Sequence, residues 1–377
     1  MNILLIGEYS RLHNSLKEGL LQLGHRVVIL GFNDGFKEYP VDLRFEKKWD
    51  SGLLKKIKIG VYRLTRFDIS SYLTYRQFLK NKSKFEGFDV VQLINENSFF
   101  CTPYFEKKIL GSIFQNNTKV FLLSCGDDYS NVKYSFENPD FKSGVQPYRE
   151  GKIDTKDFQN VLKYLRDDYC KLHEFIAENV TGIIASDIDY HIPLVSHPKY
   201  IGLIPNPINT DTIPFESLPV SEKTVLFLGI NTESYYKKGS DYFEKALQII
   251  QEKYPDAIEI IVTRSIPYAH YIEHYKKAHI LLDMAYAHDQ GYNALEAMAK
   301  GKVVFTGAET EFEAFYQLKE PVNINAKPDV DYLVAQLSNL IENPETIEII
   351  GKRARAFVEK EHHYIQIAKK YTEKWHH

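Results

Sequence analysis

The sequence predicts an α/β protein built from two Rossmann-like, doubly wound parallel-sheet domains. Three observations predict it: short apolar runs alternate with longer amphipathic stretches, the alternation runs through the chain twice, and a proline-rich stretch separates the two passages. A length of 377 residues gives each domain room for its own core. The expected domains are residues 1–205 and 220–355, with residues 356–377 as a closing helix.

Asn2–Ile6, Arg26–Leu30, Asp89–Ile94, Lys119–Ser124 and Gly182–Ala185 read as strands of the first domain. Each is rich in Val, Ile or Leu without polar alternation, as strands covered on both faces must be. Leu12–Leu23 and Pro103–Phe114 carry helical periodicity between them. The join falls in Ile204–Pro219, where Pro205, Pro207, Pro214 and Pro219 interrupt regular structure. The pattern then restarts. Thr224–Leu228, Ile258–Thr263, Ile280–Met284 and Val303–Thr306 read as strands, and Ser240–Lys253, His270–Lys277, Ala294–Lys300 and Val330–Leu340 as helices. The stretch from Pro344 onward reads as two more helices.

Composition narrows the function. The net charge of -3 provides no global field for nucleic acid. Cys101, Cys125 and Cys170 are few, widely spaced and odd in number, which argues against a disulfide framework or structural zinc and suits a reducing compartment. The first apolar run is too short for a signal peptide, and no stretch reaches the roughly 18 apolar residues of a spanning helix. A cytoplasmic protein is expected. The 26 Tyr and 23 Phe exceed what a core needs and suit sugar-facing surfaces.

The chemistry-bearing segments sit at strand ends. The first strand runs into Gly7-Glu8-Tyr9-Ser10, with His13 and Asn14 in the first turn of the helix that follows. Such a turn is either a plain βα connection or a substrate-lining one. The second half opens with Val225-Leu-Phe-Leu-Gly229, then Ile230-Asn231, then Lys237-Lys238-Gly239 before a helix. A lysine there binds a diphosphate as a mobile point charge, or belongs to a solvated pair. Most informative is Asp289-Gln-Gly-Tyr-Asn-Ala-Leu-Glu-Ala-Met-Ala-Lys-Gly301. Its loop amides and helix dipole suit a diphosphate at Gly291, Tyr292 and Asn293, and Glu296 suits a ribose hydroxyl pair. By itself Glu296 also reads as a carboxylate complementing the helix dipole.

These segments resemble the GT-B glycosyltransferases, in particular the large retaining family 4. The resemblance is carried by Gly24-His25-Arg-Val, by Ile204-Pro-Asn-Pro-Ile-Asn-Thr-Asp211, by Lys238-Gly239 and by Glu296-Ala-Met-Ala-Lys-Gly301. It implies two domains facing a central cleft, with a nucleotide-diphosphate sugar as donor and no other cofactor. It further implies sugar transfer with retention to a hydroxyl of a glycan or lipid-linked acceptor. The expected donor residues are Asn231, Lys238, Arg264, Gly291, Tyr292, Asn293 and Glu296, with Tyr268 added because the loop Ser265–Tyr268 follows a strand end and should border the base, and the expected acceptor residues are Glu8, Tyr9, Ser10, His13 and Asp127. Lys238, Asp289 and Glu296 would carry catalysis.

Two departures matter. The family's first glutamate falls on His288, which leaves Asp289 as the nearest carboxylate for the transferred sugar. The family's Gly-Arg pair is Gly229-Ile230, so a phosphate-binding cation is missing unless Arg264 replaces it. Cys125-Gly126-Asp127-Asp128 stands where the family often has His-Gly, so its acidic pair binds acceptor hydroxyls or caps a loop. A non-catalytic sugar-nucleotide-binding protein on the same fold is the alternative these departures leave open, and a sugar-nucleotide epimerase or a phosphorylase a more remote one.

No metal site is expected, because His270, His274 and Glu361-His-His363 complete no ligand pattern. Finally, Trp49–Phe67 reads as an amphipathic helix, with Leu54, Ile57, Val61 and Leu64 on one face and Lys55, Lys56, Lys58, Arg63 and Arg66 on the flanks. Such a helix either lies on anionic lipid or packs its apolar face on the domain.

Overall fold

The computed structural model describes residues 1–32, 39–216 and 223–376, with backbone alone at 268 and 269. Pro219 of the expected join and the start of the second expected domain at 220 lie outside the described residues.

The first sheet consists of β1 (Asn2–Ile6), β2 (Arg26–Phe32), β3 (Leu43–Phe45), β4 (Val90–Leu93), β5 (Lys119–Ser124), β6 (Gly182–Ala185) and β7 (Tyr200–Leu203). Their spatial order is β3-β2-β1-β4-β5-β6-β7 and every pairing is parallel. The second sheet consists of β8 (Thr224–Ile230), β9 (Ile258–Arg264), β10 (Ile280–Leu282), β11 (Val303–Thr306) and β12 (Ile324–Asn325). Its order is β12-β11-β10-β8-β9, again parallel throughout.

The strands absent from the sequence reading are β3, β7 and β12, and each is a sheet edge. An edge strand is only partly covered, so it lacks the continuous apolar run that marks a buried one. The central strands show the opposite pattern. Ile3 and Leu5 of β1 point into one apolar cluster and Leu4 and Ile6 into another, so both faces of the sheet are core.

One of these clusters continues from β1 across to Phe227, Leu281 and Ala294 in the second half, so the two sheets share apolar packing. The final helix, Tyr364–His376, lies against the first, Leu12–Gln22. Gly19 makes that approach feasible, since a Cβ there would stand 2.4 Å from the Tyr364 carbonyl oxygen. Trp375 and Tyr371 are buried in the shared cluster, and the Lys119 ammonium donates to the Trp375 and His376 carbonyls at 3.0 Å. Arg355 fastens the connection between sheets, donating to the carbonyls of Ile213 at 2.6 Å and Ala299 at 2.7 Å.

Candidate active site

In an open parallel sheet, ligands dock at the carboxyl ends of the strands where strand order reverses. Here the reversals fall between β1 and β4 and between β8 and β10. The loops leaving those ends are Gly7–Arg11 and the segment after Leu93 on one side, and the segments carrying Lys238 and Asp283–Asn293 on the other.

On the second-sheet side, Gly239 takes φ 73° and starts the Ser240–Lys253 helix. A Cβ there would meet the Ala285 methyl at 2.7 Å, so glycine lets the Lys238 turn lie against the loop after β10. Lys238 spans the reversal, its ammonium donating to Asp283 Oδ1 at 3.0 Å. Asn293 Nδ2 donates to the same oxygen at 3.0 Å, and the Tyr271 hydroxyl donates to Asn293 Oδ1 at 3.0 Å. Asp283 is buried directly after β10 and was not anticipated from sequence. The signal that could have revealed it is a lone carboxylate ending an otherwise apolar strand. Gly291 precedes the Tyr292–Ala299 helix without a side-chain cap, so no side chain competes for the first-turn amides.

Two expected donor residues are engaged elsewhere. Asn231 caps the Thr232–Ser234 turn through its own side chain. Arg264 ends the edge strand β9 and is 51% exposed, paired with Glu244. The Tyr268 side chain lies outside the described residues.

On the first-sheet side, burial pushes the Glu8 carboxyl up to about 7. Its Oε2 accepts from the Asn14 backbone at 2.8 Å and the Asn14 amide at 2.6 Å. Oε1 is buried and has no hydrogen-bond partner among the described residues. His13 is 0% exposed, and burial pushes it down to about 4. Its Nδ1 donates to the Gly7 carbonyl at 2.6 Å, so the ring braces the turn, and the acceptor contact expected of it is corrected to a structural one. Tyr9 packs on the shared core, and Ser10 holds a positive φ of 52°. Burial raises the Cys125 thiol to about 12, which leaves it unsuited to nucleophilic chemistry. Asp128 is a helix cap, accepting from the Asn131 backbone at 2.8 Å.

The two sides touch across the cleft. Lys237 donates to both Asp127 oxygens at 2.8 and 3.1 Å. Asp189 accepts from the backbone of His288 at 3.0 Å and of Asp289 at 3.2 Å. Asp289 answers in kind, accepting from the Ile188 backbone at 3.2 Å and the Gln290 backbone at 2.7 Å. It is 3% exposed, and desolvation raises it to about 7. Both Asp289 oxygens are thus engaged, Oδ2 in joining the lobes and Oδ1 within its own loop. His288 differs. Its ring stacks on Phe141 at 4.6 Å and 16°, and both ring nitrogens are buried without a hydrogen-bond partner among the described residues.

A cavity of about 390 Å³ opens between the sheets. Arg11 and Ser15 line it from the first helix, Asn209 and Pro214 from the connection, Ile272 and Tyr275 from the Tyr268–Lys277 helix, and Tyr292, Glu296 and Lys300 from the Tyr292–Ala299 helix and its end. The volume is that of a small-ligand pocket. Glu296 is therefore in an interdomain cavity, not on a free surface.

Residues 237–373 match the glycosyl transferase-like family. Sucrose-phosphate synthase from Thermosynechococcus elongatus superposes with a TM-score of 0.64 at 15% identity, over 100% of this chain and 98% of that one. Anabaena HepE, solved with UDP and glucose, gives 0.57 at 10% identity over 99% and 98%. The lipopolysaccharide outer core galactosyltransferase WaaB gives 0.53 at 11% identity over 99% of each chain. The fold is GT-B. No curated protein matches the sequence. In GT-B terms, the cavity and the Lys238–Asp283–Asn293 network lie at the interface of the two Rossmann-like halves, where the strand reversals of both sheets meet.

Proposed function

We propose that this protein is a nucleotide-sugar-dependent glycosyltransferase that moves a sugar from a nucleoside diphosphate to a hydroxyl of a glycan or lipid-linked acceptor, with retention. The observation that carries the reading is the cavity holding Glu296 at the GT-B interface, next to an uncapped helix start and a lysine fixed by a buried carboxylate. Glu296 binds the ribose hydroxyls. The amides at Gly291–Asn293 and the Lys238 ammonium take charge developing on the departing diphosphate. The bond from the anomeric carbon to the diphosphate breaks as the acceptor oxygen bonds to that carbon. The acceptor proton passes to the leaving phosphate oxygen, so no protein base is required. The match of residues 237–373 to a glycosyl transferase-like family supports the assignment.

On the acceptor side we place Glu8, Tyr9, Ser10 and Asp127, with Glu8 Oε1 awaiting a hydroxyl donor. For the transferred sugar we place His288 ahead of Asp289, because its ring nitrogens, with Nδ1 3.7 Å from a Glu311 carboxylate oxygen, make no hydrogen bond among the described residues, whereas both Asp289 oxygens accept one. The helix Gly52–Thr65 docks the enzyme on anionic lipid at the cytoplasmic face. No helix of the described residues is long and apolar enough to cross a membrane.

Thermal-shift screening against UDP, GDP, ADP, CMP and dTDP identifies the base, and hydrolysis of the matching sugar donors tests turnover. Glu296→Ala weakens nucleotide affinity at least tenfold, as expected for loss of a charged hydrogen-bonded contact worth about 2 kcal/mol. Unchanged affinity in calorimetry refutes the site. Binding without hydrolysis or transfer favours a non-catalytic sugar-nucleotide-binding protein.

A further inference from the structure

We infer that Arg11, on the first domain, is a second diphosphate-binding cation of this site beside Lys238 and supplies the charge absent at Ile230. The inference rests on the reading of the cavity as the donor site. β8 ends in Gly229-Ile230, with Ile230 buried in apolar core, so that strand end offers no cation. Arg264 stands at the sheet edge, paired with Glu244, and is not among the residues lining the cavity. Arg11 instead lines the same cavity as Glu296 and Tyr292, from the opposite wall. The other cation lining it, Lys300, is paired with Glu216 at 3.1 Å, as Arg11 is with Glu18 at 2.8 Å, but only the guanidinium has a second amino group to present to a phosphate.

The guanidinium is aimed by its neighbours. One amino group donates to Glu18 Oε1 at 2.8 Å, and the other Glu18 oxygen accepts from Asn209 Nδ2 at 2.7 Å. Glu18 is therefore fixed on both sides and holds Arg11 along the cavity wall. A guanidinium carries five N–H donors in a planar fork, so the single bond to Glu18 leaves the geometry for bidentate phosphate binding intact. The backbone adds a cost that packing alone does not require. Ser10 and Arg11 are consecutive non-glycine residues at φ 52° and 79°, a conformation glycine adopts without penalty.

Calorimetry with UDP and with uridine, which lacks phosphates, tests the assignment; GDP with guanosine or ADP with adenosine serves if UDP does not bind. Arg11→Ala and Arg11→Gly each weaken the diphosphate at least tenfold and leave the nucleoside within twofold of wild type. Arg11→Gly melts at or above the temperature of Arg11→Ala, because glycine relaxes the turn. Arg11→Lys falls between alanine and wild type, retaining charge without the fork. A folded Arg11→Gly that binds the diphosphate as wild type does overturns the inference, as does equal loss of diphosphate and nucleoside. Glu296→Ala in parallel separates the two readings. If it weakens both ligands while Arg11→Ala weakens neither, the donor site stands and Arg11 is not its cation. If neither Glu296→Ala nor any diphosphate produces an effect, both readings fail.

Discussion

His288 and Asp289 are neighbours with opposite situations. The Asp289 oxygens accept two backbone N–H groups, one from each lobe, whereas the His288 ring is buried under Phe141, its Nδ1 3.7 Å from a Glu311 carboxylate oxygen and both nitrogens without a hydrogen bond among the described residues. Exchanging Asp289 for Asn turns an acceptor into a donor facing another donor, which costs about 1–3 kcal/mol. Asp289→Asn is therefore expected to lower the melting temperature. His288→Ala is expected to lower turnover at least tenfold while leaving affinity for the bare nucleotide unchanged, because the nucleotide lacks the sugar. Calorimetry and turnover on both variants check this, and the reverse pattern returns the sugar contact to Asp289.

The helix Gly52–Thr65 shows how an element can contradict its own apolar stripe. None of its residues is buried; Leu53 is 72% and Leu64 88% exposed. Within the stripe Leu54 is 46% and Ile57 43% exposed and Val61 is half-buried, so the domain covers it only in part. Lys55, Lys56, Arg63 and Arg66 stand beside the exposed leucines, while Lys58 is paired with Asp50. Cations near anionic lipid contribute about 1 kcal/mol each, and salt screens them. The protein is expected to sediment with anionic vesicles at low salt and to be released by Lys55/Lys56→Glu. Equal sedimentation with neutral vesicles would make a soluble acceptor the better choice.

Across the whole molecule, buried acids dominate the pH response. Desolvation raises Glu8, Asp128 and Asp289 to about 7 and Glu106 to about 8. A carboxyl whose folded value is raised binds its proton more tightly in the native state, so stability grows as pH falls through that value and is lost as pH rises. Lys302, lowered to about 8, acts in the opposite sense but mostly above pH 8. His13 and His362, lowered to about 4, oppose the trend below their ordinary value of 6.5. The melting temperature is therefore expected to rise as pH falls from 8 through 7 and to keep rising, less steeply, below 6.5, where the four raised carboxyls outnumber the two lowered histidines, down to the ordinary carboxyl range. Thermal melts across that window decide it, and a fall on acidification from pH 8 would show that these groups are not desolvated.

The sequence by itself determined the two parallel sheets, because a strand covered on both faces must be continuously apolar, and β1, β5, β6 and β11 are. It also placed Lys238, Glu296 and the Gly291 turn at strand ends, since those positions follow from local strand-to-helix chemistry. It did not determine β3, β7 or β12, whose half-covered edges leave little pattern. Nor did it determine which polar side chains are spent on the fold. Asp283 meets Lys238 over 45 residues and Asp189 meets His288 over 99, separations that no local spacing encodes. His13 and Arg11 lie two positions apart in one turn, yet the first is sealed beneath it and the second lines the cavity. Only the closing of one sheet upon the other separates them, because burial and partnership are properties of the packed interface and not of the chain.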